Sequence, residues 1–385
     1  MNKIVFISFA VLNKNLYQAL CIEYFLKFGV EVDYLDVSSL LFDLETGRQN
    51  GSIIQHISTY QELEQYIIFN KNKNILYNIQ MHYETRFVKL FKLLKKHNCR
   101  QSTFEIGYLP VPNTRTRMLT YFNRPIVLSK KIINKFFDFI YIKFDFINLM
   151  YDIKFTAGMI PYDLAKKTAK KIVEINFVDY EKNLEYIRSK KENTNQKYFV
   201  FLDIFLHEHT DHQFLENNDT KSFNGAKYVE TLNEFFLNIE KKYDTEVIIA
   251  AHPKSNYVNK EFANRKIIKN KTEELVFNAD AVISHHSTSI SYAVLNKKPI
   301  IFIYTEDIKR YMLNVYLYTD KFASDLEMPI VNIDEKLEFL FSLNINNTLY
   351  NQYKYNFLTS KLSENLVNEQ IIKQFLKDEN VSIIS

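Results

Sequence analysis

Short apolar runs alternate with segments of helical spacing through the first half of the chain, and this rhythm constrains the fold more than any other feature. Ile4–Val11 reads as a β-strand, and Leu16–Phe28 has helical spacing up to Gly29, a plausible C-cap. Val30–Val37 reads as a second strand, Thr59–Ile68 as a helix and Ile75–Ile79 as a third strand. Glu84–His97 follows as a helix with Phe87, Leu90, Phe91 and Leu94 on one face, then Thr103–Ile106 as a strand ending at Gly107. Such a βαβα order demands a parallel sheet covered by helices on both faces, an α/β fold.

The pattern changes after Arg115. Val127–Leu149 is rich in Phe and Ile, punctuated by Lys130, Lys131, Lys135, Lys143 and Asp145, and reads as one or two amphipathic helices. Tyr151–Thr156 is a further strand, Asp163–Lys171 a basic helix, and Glu181–Gln196 a polar stretch read as a linker. A second α/β unit begins at the strand Tyr198–Phe205 and continues through the helix Ser222–Tyr243 and the strand Glu246–Ala251. Thr272–Ala279 reads as a helix capped by Thr272, followed by the strand Ala281–Ser284, the helix Thr288–Leu295 and the strand Pro299–Tyr304. The tail from Leu349 to Lys377 is helical and amphipathic. The 385 residues thus divide into a Rossmann-like domain over 1–185, a second over 190–345, and helices over 346–385 that pack back across the domains.

Composition removes several classes of function. Lys and Arg number 49 against 45 Asp and Glu, a net charge of +4 that gives no reason to expect a nucleic acid partner. Cys21 and Cys99 are the two cysteines; they form no CxxC pair and suit a reducing compartment. No apolar run reaches the roughly 18 residues of a membrane span. The start, Lys3 to Val11, lacks a small-residue cleavage site and reads as a buried strand, so a cytoplasmic protein is expected. Its 26 Tyr and 32 Phe, with no Trp, reflect the codon usage of an AT-rich genome, which lowers the information in any one aromatic. An interfacial helix touching anionic lipid would look like 127–149, and so would an ordinary core helix in so Phe-rich a chain.

Two segments carry the chemistry. In the first, the buried run Val247–Ala251 stops at His252, Pro253 and Lys254. Ligands of open α/β sheets bind at such strand ends, where a His can donate to a phosphate and a Pro fixes the turn that aims it. In the second, Ser284, His285 and His286 lead into Ser287, Thr288 and Ser289 at the start of a helix. Free N–H groups and hydroxyls there suit a phosphate; N-capping is the plainer reading, but three adjacent hydroxylated residues behind two histidines exceed what capping needs. No GxGxxG or P-loop is present. His82, Glu84 and Arg86, beyond the strand Ile75–Ile79, can bind an acceptor sugar or start a helix. His207, Glu208, His209, Asp211 and His212 lack HExxH spacing and read as a cleft loop, with His207 and His209 toward the acceptor and no metal assigned. Asp203, within its strand, is an alternative catalytic carboxylate.

His252-Pro253 and Ser287-Thr288-Ser289 resemble the His-Pro and Ser-Ser/Thr motifs of the GT-B sialyltransferases and Kdo transferases of bacteria. The resemblance covers roughly residues 198–304. It implies two Rossmann-like domains facing across a cleft and a metal-independent glycosyltransferase without cofactor. It further implies a CMP-activated nonulosonic acid or Kdo as donor and a glycan or lipid-linked acceptor in surface polysaccharide synthesis. The donor would be held by His252, Pro253, Lys254, Ser284, His286, Ser287, Thr288 and Ser289, with His252 also catalytic. A peripheral contact at the inner membrane face is a separate expectation, from the aromatic and lysine interleaving of 127–149. The acidic base motif of those families has its nearest match in Phe104-Glu105-Ile106-Gly107, which makes Glu105 the expected general base. CDP-glycerol glycerophosphotransferases look similar over the same stretch. Transfer of glycerol phosphate therefore stays open as an alternative, as does a non-catalytic nucleotide-sugar-binding subunit.

Overall fold

A computed structural model describes residues 1–42, 51–112, 125–143, 147, 149–189, 197–206, 223–257, 260–335 and 343–382. The chain forms two compact units: Met1–Tyr108 with Arg115–Val178 and Thr359–Ser385, and Leu109–Thr114 with Asp179–Leu358. Both are Rossmann-like α/β units built on a parallel sheet, the fold class expected from the sequence rhythm.

The first unit holds seven strands: β1 (Lys3–Ser8), β2 (Glu31–Asp36), β3 (Ile54–His56), β4 (Ile75–Ile79), β5 (Arg100–Glu105), β6 (Tyr151–Thr156) and β7 (Ala169–Glu174). Their spatial order is β3-β2-β1-β4-β5-β6-β7, so the winding direction reverses between β1 and β4. β1 and β4 are buried along their whole length, as strands covered on both faces must be. Phe104 and Phe155 stack at 4.4 Å, and Phe375 of the C-terminal helix Asn368–Asp378 meets Phe155 edge-on at 5.1 Å. Asn176 secures that tail within the first unit. Its backbone N–H donates to Asn368 Oδ1 (2.7 Å), its Oδ1 accepts from Thr359 Oγ1 (2.6 Å), and its amide donates to the Leu366 carbonyl (2.8 Å).

Several elements differ from expectation. The single helix over 16–28 is two, Lys14–Ala19 and Ile22–Lys27, broken at Cys21 in the left-handed region (φ +55°). Gly29 beyond it has φ +81°, which a side chain would resist. The basic helix over 163–171 is instead the helix Met159–Ala165 followed by β7. β7 lies at a sheet edge, where lysines are favoured, so Lys170 and Lys171 disguise a strand. The supposed linker begins with a helix, Val178–Arg188, that buries Asp179, Tyr180, Glu181, Asn183 and Tyr186 in the second unit. The amphipathic stretch contains one helix, Pro125–Lys143, on which Ile133, Phe136, Phe137 and Phe139 are exposed. Among the described residues no helix is long and apolar enough to cross a membrane.

The second unit holds β8 (Tyr198–Leu202), β9 (Glu246–Ala251), β10 (Ile267–Lys269), β11 (Ala281–Ser284), β12 (Ile300–Tyr304) and β13 (Ile330–Asn332), in the order β10-β9-β8-β11-β12-β13. Here the winding reverses between β8 and β11. The helix Gly225–Tyr243, capped by Asn224, lays Leu232, Phe235, Phe236 and Ile239 on the sheet. Thr272 does not cap its helix; it is the first helical residue, after Lys271.

Candidate functional site

Open parallel sheets bind ligands outside the carboxyl ends of the strands at the point where the winding reverses. In the second unit that point is the end of β8, with β9 on one side and β11 on the other. The two expected motifs stand on these flanking strands. They are not on adjacent strands: β8 lies between them, which sets the strand ends roughly 10 Å apart.

His252 follows β9 directly and is half-buried. Its Nδ1 accepts the backbone N–H of Lys254 at 3.2 Å, which places the ring proton on Nε2. The imidazole lies parallel to the Phe205 ring, centroids 6.1 Å apart and planes 5° from parallel. Its carbonyl accepts both the N–H and the hydroxyl of the buried Ser255 (2.9 and 2.8 Å), a tight turn that leaves Pro253 and Lys254 exposed. Asp203, just past β8, receives three hydrogen bonds: from Phe205 N–H (2.8 Å), His252 N–H (3.2 Å) and Tyr257 Oη (2.8 Å). A carboxylate so engaged is not free to act as the alternative base.

The segment after β11 sorts into core and surface. Ser284 and His285 are fully buried; His285 Nε2 pairs with Tyr228 Oη at 2.8 Å. Ser284, expected to touch the donor, is the last residue of β11 and is fully buried. His286 is half-buried, its N–H held by Thr319 Oγ1 (3.1 Å) and its ring against Tyr318 (5.6 Å). Ser287 Oγ accepts Ser289 N–H at 3.2 Å, so this hydroxyl shapes the turn itself. Thr288 is exposed and Ser289 half-buried. The helix proper is short, Ile290–Leu295, so donors in the turn matter here more than a macrodipole.

In the first unit, Glu105 ends β5 but is 7% exposed. Oε1 pairs with Lys154 Nζ at 2.7 Å, and Oε2 accepts from Tyr108 Oη at 2.7 Å. Burial alone would raise its carboxyl, but the Lys154 and Tyr108 hydrogen bonds and the Lys154 charge hold it below the usual range. A depressed, doubly engaged carboxylate is a weak proton acceptor, so the geometry speaks against the expected base role. Gly107 has φ +72°, which lets the chain turn so that Tyr108 folds back on Glu105. His82, Glu84 and Arg86 lie exposed beyond β4, next to the reversal of the first sheet. Glu84 and Arg86 pair at 2.7 Å, and the guanidinium covers Phe42 and Phe87. His207 and His209 lie outside the described residues. Among those described, no group of three or more His, Cys, Asp or Glu could hold a metal ion.

Asp179 was not singled out from the sequence, because a lone acid just ahead of the polar stretch Glu181–Gln196 reads as surface. It is buried, bonded to Ser291 Oγ (2.5 Å) and Tyr292 Oη (3.1 Å), and Ser291 Oγ also reaches the Thr288 carbonyl (2.7 Å). Burial pushes its carboxyl up to about 6, only partly opposed by the Ser291 hydroxyl, Lys182 and Tyr292. The folded chain thus holds this proton more tightly than the unfolded one. Its stabilising contribution is full below about pH 4 and is lost as pH rises through about 6. Asp179→Asn keeps an acceptor and cannot ionise. Relative to the parent it should gain on the order of 2–3 kcal/mol between pH 4 and pH 7. Urea unfolding across that range checks this, and parallel curves for the two chains would refute it.

No known protein family and no curated protein matches the sequence. Solved structures similar to the chain include the UDP-GlcNAc 2-epimerase of Methanocaldococcus jannaschii in complex with UDP-GlcNAc and UDP. It is 14% identical, with a TM-score of 0.48 over 97% of this chain and 99% of that one. MnaA of S. aureus, solved with UDP, is 11% identical, with a TM-score of 0.46 over 99% and 98%. MurG of Acinetobacter baumannii is 10% identical, with a TM-score of 0.42 over 97% and 94%.

Proposed function

We propose that the chain is a glycosyltransferase that takes its sugar from a nucleotide-activated donor, bound on the second unit, and passes it to an acceptor bound on the first. One observation supports this most: at the reversal of the second sheet, His252 offers an oriented Nε2–H at the end of β9 while the Ser287–Ser289 turn opens at the end of β11. Donors on both sides of β8 suit a phosphate lying over its end.

In the step envisaged, the acceptor hydroxyl oxygen bonds to the anomeric carbon and gives its proton to a base. The bond from that carbon to the donor phosphate breaks, and its electron pair leaves with the nucleotide. His252 Nε2–H and the hydroxyls of Thr288 and Ser289 stabilise the growing phosphate charge. Glu105 is left out of the base role in this proposal, because its oxygens serve Lys154 and Tyr108. The first donor to try is a CMP-activated acidic sugar, a nonulosonic acid or Kdo, with a cell-surface glycan as acceptor.

Heat protection by CMP, CDP, UDP and GDP tests the reading, and one nucleotide should raise the unfolding temperature of the second unit. Replacing Ser287 and Ser289 together by Ala should weaken that nucleotide by about 1–3 kcal/mol, the scale of hydrogen bonds to a charged group. No protection by any nucleotide would remove the proposal. Binding without transfer would leave a binding subunit, and a product carrying glycerol phosphate by mass would identify the glycerophosphotransferase instead.

A further inference from the structure

We propose that Asp203 is a positioning residue that holds His252 in the orientation needed to meet a donor phosphate; this rests on the reading of His252 given above. Asp203 sits at the end of β8, between the strands that carry the two motifs. A bare carboxylate there would repel a phosphate. It does not stand bare: its two oxygens accept three hydrogen bonds. Oδ2 takes the N–H of His252 and the hydroxyl of Tyr257; Oδ1 takes the N–H of Phe205. Its own N–H donates to the Ala250 carbonyl at 3.1 Å. One side chain therefore ties the end of β8 to the first residue after β9.

Each of these bonds bears on the imidazole. The bond to His252 N–H fixes the backbone from which the ring projects. The bond to Phe205 N–H supports a left-handed conformation (φ +56°) that a residue with a Cβ adopts only against a steric cost. That conformation places the Phe205 ring flat against His252. Tyr257 closes the bracket, its hydroxyl on Asp203 and its ring edge-on to Phe205 at 5.7 Å. With the ring so braced, Nδ1 meets Lys254 N–H and Nε2 keeps the proton. Among the described residues three donors and no acceptor face the carboxylate, which suits Asp rather than Asn: an amide would turn an NH2 group toward a donor.

The discriminating variant is therefore Asp203→Asn, studied in the full-length chain. Uniformly 15N-labelled protein reports the tautomer of His252 through its long-range ring correlations, assigned by their loss in His252→Gln. The parent should show the Nε2–H form, and Asp203→Asn a mixture of tautomers. CMP titration by calorimetry supplies the second readout. Asp203→Asn should weaken CMP roughly tenfold in the parent and leave it unchanged in His252→Ala, since a residue acting through the His252 ring has nothing left to act on. Equal tenfold losses in both backgrounds, or an unchanged ring signature in folded Asp203→Asn, would overturn the proposal. Should that variant fail to fold, Tyr257→Phe removes one donor and keeps the carboxylate; an Nε2–H signature as pure as the parent's would then overturn it. If the parent binds no CMP, the CMP-donor reading fails on its own, and the ring signature still decides whether Asp203 sets the tautomer.

Discussion

Glu105→Gln is expected to destabilise the first unit by about 3–5 kcal/mol, because it leaves the Lys154 ammonium buried without its counter-charge. Both side chains are 8% exposed, so water cannot replace the lost partner. The pH dependence has a definite sign. The folded carboxyl lies below its unfolded value, so the pair's contribution is present above about pH 4.5 and disappears as pH falls through the lower folded value. The gap between parent and variant should therefore close in acid. Adding Lys154→Met to Glu105→Gln should recover most of the loss, since no uncompensated charge is then left buried. Urea unfolding of the three chains at pH 7 and at successively lower pH below 4.5 decides the matter. A Glu105→Gln chain within 1 kcal/mol of the parent at pH 7 that has lost transfer would instead restore the base assignment.

The sheet centres were legible in the sequence because a strand covered on both faces is a continuous apolar run. Ile4 to Ile7, Ile75 to Ile79, Tyr198 to Leu202 and Ile300 to Ile303 could be placed on that signal alone. The edges were not. β3, β10 and β13 have three residues each, too few to show a period, and β7 carries paired lysines that mimic a basic helix. The helix Val178–Arg188 was hidden for a related reason. It buries Asp179, Glu181 and Asn183, and polar residues that owe their burial to tertiary partners look like linker in one dimension.

The same distinction runs through the site. His252 was visible because a strand, a His and a Pro are contiguous. Asp203 was visible only as a carboxylate in a strand, since two of its donors lie some fifty residues away and reach it through the pairing of β8 with β9. Glu105 could be recognised as a strand-end acid. Its restraint by Lys154, 49 residues later, appears only once β6 is laid beside β5. Sequence thus located groups able to do chemistry, while the partners that set their protonation and direction came from register.

His252→Ala is expected to lower the rate of sugar transfer by about 10²–10³-fold, the scale of removing one preoriented donor to a developing oxyanion. Nucleotide affinity should fall less, because the hydroxyls of the Ser287–Ser289 turn remain and the His252 bond strengthens only as charge builds on the leaving phosphate. The fold should survive. The imidazole is half-buried and lies parallel to the Phe205 ring, and the backbone bonds to Asp203 and Ser255 do not need the ring. His252→Gln is the informative companion: its amide can still donate a hydrogen bond, so it should retain more activity than Ala if the role is donation and no more if the role is proton transfer. Turnover and nucleotide affinity measured side by side, with a thermal melt to confirm folding, separate these cases. Unchanged turnover in His252→Ala would remove this residue from the mechanism and, with it, the reason for placing a donor phosphate over the end of β8.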